Sequence, residues 1–221
     1  MDRLPNEFFF EIFIHLKNYR RSLFSCLLVN RHWCRNVIPI LWRELDVSKS
    51  RKLIEICTLS LNAEEKEQLL SLTTILPNNQ NLLFEYLTYT TTIKIDSDDG
   101  IMNWLNHKKS VFEPLYSPYD LRTERAIQAI KSSLISMFLR TSKRLKNLSI
   151  SGEILNMSEK IFDKCTALVS LKFANNNISL EESKTLAKSL HNNTNLTSLD
   201  LWNNRMGPEG GKALADALAL C

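Results

Sequence analysis

Residues of the kinds that perform catalysis or bind metal ions are few in this chain and do not form a recognised pattern. No metal-site spacing connects the four histidines, which are His15, His32, His107 and His191. Cys26, His32 and Cys34 are near neighbours, but they lie in predicted helices and no fourth ligand follows at a suitable spacing. The sequence has no glycine-rich phosphate loop, no Gly-x-Ser-x-Gly elbow and no paired-cysteine motif. We therefore predict a protein that is not an enzyme and that needs no metal ion or cofactor.

One acidic segment, Asp96-Ser97-Asp98-Asp99-Gly100, has the composition of a calcium-binding loop. If Gly100 is taken as position six of an EF-hand loop, Ile95 falls at position one and Asn106 at position twelve. Carboxylates are required at both of those positions, so the template fails. The segment is instead predicted to be a solvated acidic turn.

The composition excludes several classes of protein. The 28 Lys and Arg residues and 24 Asp and Glu residues give a net charge of +4, spread along the chain, which does not indicate nucleic-acid binding. No apolar stretch reaches about 18 residues, and no signal-peptide core follows a basic start, so neither a membrane span nor a secretory signal is predicted. The odd number of cysteines, at irregular spacing, favours reduced thiols and a location in the cytoplasm, the nucleus or both: Cys26, Cys34, Cys57, Cys165 and Cys221.

The clearest pattern is a repeat in the last third of the chain. The residues Leu196, Leu199, Leu201 and Asn204 repeat, 28 positions later, the residues Leu168, Leu171, Phe173 and Asn176. This L-x-x-L-x-L-x-x-N spacing is typical of a leucine-rich repeat, whose short strand turns alternate leucines into a shared core. Each asparagine is predicted to turn inward at the strand end and to bond backbone groups left unpaired by the bend. A shorter, irregular unit is predicted to begin near Lys143, because the same register occurs at Leu145, Leu148 and Ile150.

A helix is predicted after each of these asparagines. Ser179-Leu180-Glu181-Glu182 is a capping box, and Pro208 suits the first position of the equivalent helix over 208–220. Units that combine a strand with a full helix resemble the ribonuclease-inhibitor type of leucine-rich repeat, which stacks into a curved solenoid. Because the sequence stops inside the apolar part of a repeat helix, we expect it to be a piece of a longer repeat protein.

The middle of the chain is less regular. Asn62 to Glu65 begins a predicted helix that continues through the apolar residues Leu69, Leu70 and Leu72, and a loop is predicted over 77–81. Ile93-x-Ile95 alternates like a strand. A longer helix is predicted from Thr123 to Arg140, with Ile127, Ile130, Leu134 and Phe138 in one apolar stripe and Arg125, Lys131 and Ser132 mainly outside it.

The first 42 residues predict a compact unit of three helices. From Leu4 to Leu16 one helical stripe is apolar, and Phe10 with Ile14 forms a second stripe. A small domain cannot easily bury both, so this helix is predicted to pack on its own domain and also on a partner. Two further apolar clusters follow at 23–29 and 33–42.

This segment resembles an F-box in the order and spacing of its key residues, which are Leu4-Pro5, Glu7, Ile12-Phe13, Leu16, Val29, Trp33 and Leu41-Trp42. The run Cys-Leu-Leu-Val-Asn-Arg-x-Trp-Cys at 26–34 is most similar to fungal F-box proteins. An F-box followed by leucine-rich repeats resembles the substrate-receptor subunits of SCF ubiquitin ligases. The predicted organisation is an F-box over 1–45, a connecting and mostly helical region over 46–142, and repeats over 143–221. The fold class is mainly α with α/β repeats.

The resemblance implies that the F-box docks on a Skp-family adaptor, which links to a cullin scaffold, while the repeats hold the substrate protein. The adaptor contacts that it implies are Leu4, Pro5, Phe8, Phe9, Ile12, Leu28 and Val29. Trp33, Leu41 and Trp42 are expected mostly in the core of the small domain, and Phe10 can belong to either surface.

Substrate contacts are expected on the outward side of the repeat strands, at Lys172, Ala174, Asp200 and Trp202. Trp202 alternates with Leu201, so its indole is predicted to face outward and to anchor a partner, with packing against the neighbouring repeat as the alternative. The repeats alone also permit a scaffold, an inhibitor or a GTPase regulator that acts without ubiquitin transfer. The F-box resemblance argues against that alternative, but an F-box in a complex without ubiquitin transfer stays open.

Overall fold

Three helices form a small unit at the start of the computed structural model, which describes residues 5–69, 76, 85–109, 121–152, 168–191 and 193–219. They are α1 (Asn6–His15), α2 (Arg20–Leu27) and α3 (Arg31–Leu41). Asn30 caps α3, because its side-chain oxygen accepts a hydrogen bond of 2.9 Å from the backbone N–H of Trp33. The three helices enclose their own core, built on Phe13, Leu23, Val37 and Ile40. The predicted three-helix unit is confirmed.

A parallel sheet of five strands follows, with every strand next to its predecessor in the chain. The strands are β1 (Glu44–Asp46), β2 (Thr92–Ile95), β3 (Asn147–Ser151), β4 (Ser170–Ala174) and β5 (Ser198–Asp200). One sheet face is apolar and buried, as at Leu45, Ile93, Ile95, Leu148 and Leu171. The other face carries polar side chains and is open. This sequential parallel order is the arrangement of a solenoid whose units stack one on the next.

Helices cover the apolar face of the sheet. They are α4 (Arg51–Leu59), α5 (Ala63–Glu67), α6 (Asp99–Lys109), α7 (Leu121–Thr141), α8 (Leu180–His191) and α9 (Gly207–Leu218), with a 3-10 turn at Tyr86–Tyr89. They share one large core with the strands, in which Trp104, Phe138 and Phe173 are fully buried. The fold is therefore mainly helical with an α/β repeat region, as predicted.

The sheet begins earlier than the sequence pattern suggests. Strand β1 pairs with β2, and β2 pairs with β3, so the region predicted as a connection over 46–142 contributes β2 and the helices α4 to α7 to the same core. Position 143 is therefore not a boundary in this core. Leu45 and the Ile93-x-Ile95 pair lack the longer leucine pattern, which left the first two units unrecognised.

Helix α7 confirms the helix predicted over 123–140 but is more deeply buried than its stripe suggests. Lys131 and Ser132, placed outside the stripe, are both buried, because α5 and α6 also pack against this helix. The Lys131 ammonium donates a hydrogen bond of 2.9 Å to the Ser151 carbonyl and forms an ion pair with Asp98. A buried lysine needs such partners, because an unpaired charge inside a core is costly.

Capping boxes begin helices α5 and α8, although the sequence predicts a capping box only for α8 and a simple helix start for α5. Asn62 and Glu65 exchange hydrogen bonds of 2.8 Å at the start of α5, and Ser179 and Glu182 do the same at 3.3 and 2.8 Å before α8. The Glu65 carboxylate also accepts two bonds of 2.8 Å from the Arg140 guanidinium, which raises the pKa of that guanidinium. One buried carboxylate thus joins α5 to the end of α7. The predicted loop at 77–81, with Leu70 and Leu72, lies outside the described residues.

Asparagine side chains bond backbone groups at the strand ends, as predicted, and they also connect successive repeats. The Asn204 amide donates to the carbonyls of Phe173 and Leu201 at 2.7 and 2.8 Å, and its oxygen accepts from the N–H groups of Asn176 and Ile178 at 3.0 and 3.1 Å. The Asn176 amide bonds in the same way to Ile150 and to the strand end that precedes it. Each asparagine therefore satisfies backbone groups of its own unit and of the unit before it.

The backbone turns sharply at the residue before each of these asparagines. Asn175 and Asn203 have φ values of 58° and 55°, and Gly152, in the shorter unit, has a φ of 82°. Glycine and asparagine are the residues that adopt this left-handed conformation most readily. The Asn203 amide donates to the Asn175 side-chain oxygen at 2.7 Å, so the turns are also linked from unit to unit.

We expect the Asn204→Ala substitution to lower the free energy of unfolding by about 2 kcal/mol, because it leaves buried backbone donors and acceptors without partners. Urea unfolding measures the change. Asn195→Ala is the matched control, since Asn195 is exposed and lies just before β5 rather than inside the strand-end turn. Equal stability of the two variants would show that these bonds contribute nothing measurable.

Two adjacent glycines in α9 provide a second test of packing between repeats. A Cβ atom on Gly210 would collide with the Ser183 hydroxyl of α8 and lie 2.9 Å from the Met206 Cβ, whereas a Cβ on Gly211 would meet nothing within 4 Å. We expect Gly210→Ala to destabilise the protein by about 1–3 kcal/mol through overpacking. We expect Gly211→Ala to stabilise it by about 0.5–1 kcal/mol, because alanine suits a helix interior better than glycine. Thermal unfolding of both variants measures the difference, and a shift of the same sign in both would contradict it.

Candidate protein-interaction surfaces

The first helix presents large apolar side chains to solvent. Phe13 is buried in the small core, whereas Phe8 and Ile12 are 58% and 51% exposed. Pro5, just before the helix, is also exposed. Positions 8 and 12 lie one helical turn apart, so both side chains emerge on the same side of α1. An exposed apolar strip of this kind is typical of a surface that a partner covers.

The end of α2 adds a second exposed apolar group. Leu28 is 75% exposed, Val29 is 57% exposed and Phe24 is 60% exposed. Phe24 was missed in the sequence, although it stands four residues before Leu28 and therefore on the same side of the helix. Phe9 of α1 contacts His32 of α3 with ring centroids 4.9 Å apart, which brings α1 close to the turn that follows Val29.

The other predicted adaptor contacts differ in exposure. Phe9 is half-buried and packs against Phe13 and Trp33, with ring centroids 6.1 and 6.0 Å apart, so much of its surface is used within the unit. Phe10, which the sequence assigns to neither surface, is 36% exposed. Leu4 lies outside the described residues.

Trp42 does not lie in the core of the three-helix unit, where it was expected. Trp33 and Leu41 do pack there, but Trp42 packs against the large core and stacks on Tyr86 with ring centroids 4.7 Å apart. Its carbonyl accepts a hydrogen bond of 3.0 Å from the Thr90 hydroxyl. The correction has a physical reason, since β1 begins only two residues later and draws this part of the chain onto the repeats.

Other contacts strengthen this connection between the three-helix unit and the repeats. The Arg20 guanidinium of α2 donates to the carbonyls of Leu41 and Glu44 at 3.2 and 3.1 Å. Burial raises the pKa of the Tyr86 phenol, and the nearby Cys34 thiol raises it further. We call the contacts of Arg20, Trp42, Tyr86 and Thr90 the seam. The seam joins the two parts of the protein without a flexible linker.

The open face of the sheet carries the predicted substrate contacts. The Lys172 ammonium lies 3.4 Å from the Asp200 carboxylate, and each side chain keeps more than two-fifths of its surface exposed. Trp202 is 69% exposed, and its backbone N–H donates to Asp200 at 3.0 Å. Ala174 has only 3% of its surface exposed, so it offers a partner little area.

Polar residues fill the rest of this face. Glu44, Thr92, Asn147, Ser170 and Ser198 stand side by side in one row across the strands. A second row contains Asp46, Lys94, Ser149, Lys172 and Asp200. The rows form a hydrophilic surface, and the exposed indole of Trp202 follows its last strand.

A metal site and a reactive cysteine each require a particular arrangement of side chains in the described part of the chain. It contains no group of three or more His, Cys, Asp or Glu residues that could hold a metal ion. Burial raises the pKa of the Cys57 thiol to about 12, so this cysteine stays protonated and unreactive at neutral pH. Cys26 and Cys34 are free and half-buried, whereas Cys165 and Cys221 lie outside the described residues.

The sequence predicts that the acidic segment at 96–100 is a solvated turn. The structure differs, because two of its carboxylates contact other parts of the fold. Asp96 accepts a hydrogen bond of 2.5 Å from the Ser149 hydroxyl, and Asp98 pairs with the buried ammonium of Lys131. Asp99 begins α6. The carboxylates of Asp96 and Asp98 therefore hold neighbouring units together.

Among the described residues, no helix combines the length and apolarity required to span a bilayer.

Comparison with protein families gives a match in the three-helix unit and another in the repeat region. Residues 1–48 match the family model described as F-box-like. Residues 192–215 match the model described as Leucine Rich repeat. No curated protein and no solved structure gives a significant match. The chain therefore matches an F-box-like domain at its amino-terminal end and a leucine-rich repeat further along, which is the domain combination of F-box/leucine-rich-repeat proteins.

Proposed function

We propose that this protein is the substrate-receptor subunit of an SCF-type ubiquitin ligase. In this role the F-box binds a Skp-family adaptor, the adaptor links it to a cullin scaffold, and the repeats bind the protein to be ubiquitylated. F-box domains and leucine-rich repeats are generally interaction modules without catalytic activity, so the chemistry would belong to the other subunits. The observation that carries the proposal is the exposed apolar surface at Phe8, Ile12, Phe24, Leu28 and Val29.

The size of these side chains supports a binding role. Burying a large apolar side chain from water contributes about 1.5–3 kcal/mol, and these five residues are each more than half exposed in the free chain. Aromatic residues such as Phe8 and Phe24 contribute a large contact area at a small cost in side-chain entropy. A partner with a matching apolar groove would therefore gain much of its affinity here.

The seam supports the proposal that the repeats hold a substrate for ubiquitylation. Only Trp42 and Arg43 lie between α3 and β1, and the stacked rings of Trp42 and Tyr86 hold this connection. A substrate on the open sheet face would consequently keep one orientation relative to the adaptor. Such an orientation favours repeated transfer to the same region of a bound protein.

We expect the double substitution Phe8→Ala with Ile12→Ala to weaken binding of a Skp-family adaptor by at least about tenfold, because it removes exposed apolar area that the adaptor would bury. Co-purification and calorimetric titration with the adaptor measure the loss. The matched control is Leu121→Ala, which removes an apolar side chain that is 69% exposed on α7, away from the F-box. Equal adaptor binding by both variants, or no binding by the folded original chain, would favour a repeat protein that acts without the ligase.

We expect the Trp202→Ala variant to keep its adaptor binding and to lose substrate binding. Because the indole is 69% exposed, the free energy of unfolding should change by no more than about 0.5 kcal/mol. Urea unfolding tests the stability, and ubiquitylation of co-purified proteins in the reconstituted ligase tests the substrate contact. A clear loss of stability with unchanged ubiquitylation would assign Trp202 to packing between repeats instead.

A further inference from the structure

A cleft lies where the F-box meets the first strands of the sheet. It has a volume of about 340 Å³, which is within the range of small-ligand sites. Its apolar lining comes from both parts of the protein, with Ile14 and Leu23 from the F-box and Leu45 from β1. Neither the predicted adaptor contacts nor the predicted substrate contacts line it.

Basic side chains outnumber acidic ones around this cleft. Four cationic residues contribute to its lining, against the two carboxylates of Glu44 and Asp46, and these are Lys17, Arg20, Arg43 and Lys94. Arg20 is engaged in the seam through the carbonyls of Leu41 and Glu44.

The other three cationic residues of the lining differ from Arg20 in their contacts. In the part of the chain that the structure describes, the side chains of Lys17, Arg43 and Lys94 form no hydrogen bond or ion pair. All three are exposed and available to a ligand. Their charges come from the turn after α1, from the α3–β1 connection and from β2, so they line the cleft from three parts of the chain. Cations that converge on a concave surface raise the local positive potential and attract anions.

We propose that this cleft binds a compact group with at least two negative charges, of the phosphate-ester or polyphosphate class. The guanidinium of Arg43 can bond two oxygens of a phosphate at once, while Lys17 and Lys94 supply point charges. A single carboxylate would gain less, because Glu44 and Asp46 would offset much of the attraction. The cleft contains none of the residues predicted to contact the adaptor or the substrate, so the proposal does not depend on the ligase role.

Two sources could present this chemistry to the cleft. One is a free small molecule. The other is a phosphorylated side chain of a protein that lies on the open sheet face, because Glu44, Thr92 and Lys94 also line the adjoining hollow above the strands. Both sources share the dianionic phosphate group, and a titration with two probes distinguishes them.

The first probe is inorganic pyrophosphate, titrated calorimetrically into the full chain at low salt. We expect saturable binding that weakens as sodium chloride is added. We expect the Arg43→Gln and Lys94→Gln double variant to bind about tenfold more weakly, since each exposed charge contact contributes about three- to fivefold. The matched control is Arg125→Gln with Lys212→Gln, which removes the same two charges from exposed positions outside the cleft.

We expect a third variant to bind pyrophosphate more tightly rather than more weakly. Glu44→Gln removes a carboxylate from the cleft without changing the size of the side chain, so pyrophosphate should bind about threefold more tightly. Damage to the fold would not produce tighter binding. This variant therefore separates an electrostatic site from a general loss of structure.

The second probe is a blocked tripeptide with a central phosphoserine, titrated beside its unphosphorylated form. Binding of the phosphorylated tripeptide that the cleft double variant weakens would support a protein-borne phosphate as the ligand. Binding of pyrophosphate alone would support a small-molecule site. The proposal would be overturned if neither probe bound at millimolar concentration, or if the cleft and control double variants bound equally well.

Discussion

Each strand of this protein buries its apolar side chains only because another unit lies beside it. A strand such as β1 or β5 has three residues, too few to form a stable sheet or core by itself. The parallel ladder from β1 to β5 turns these short pieces into one sheet, and the helices then share one core behind it. The asparagine bonds at the strand ends satisfy the polar groups that this stacking would otherwise bury unpaired. The polar surface on the opposite side follows directly from this one-sided burial.

The same stacking also holds the F-box in position. Because β1 follows α3 after two residues and pairs with β2, the F-box is attached to the first unit of the solenoid rather than tethered to it. Trp42 reinforces this attachment by packing on the core of the repeats. The cleft between the two parts exists for the same reason, since a flexible connection would leave no defined walls.

Much of this organisation could be predicted from the sequence. The repeats between Leu168 and Asn204 were recognisable because leucine spacing and strand-end asparagines are imposed by local geometry. The three-helix unit was recognisable for a similar reason, since its apolar residues follow helical spacing. The first two strands were not recognisable as repeats, because Leu45 and Ile93 acquire their role only from pairing between residues 48 positions apart. Trp42 was misplaced because its partner Tyr86 is similarly distant in the chain.

The candidate surfaces were less predictable than the fold. Alternation along a strand placed Trp202 outward correctly, but it also placed Ala174 outward, where neighbouring atoms cover so small a side chain. Phe24 was missed because helical spacing alone does not show which side of a short helix meets the core. The basic cleft was not detectable, because its charged residues come from three separate elements.

The order of the strands determines how far a residue on the open sheet face lies from the F-box. Neighbouring strands in a sheet are separated by about 4.8 Å, so each residue on the open face lies at a distance from the F-box determined by the number of its repeat. Trp202 follows the fifth strand and stands about 19 Å along the sheet from β1, which the F-box holds directly. The distance from the F-box thus increases by one strand spacing with each repeat. Moving a contact residue from one repeat to the next would change its distance from the F-box by one strand spacing of about 4.8 Å.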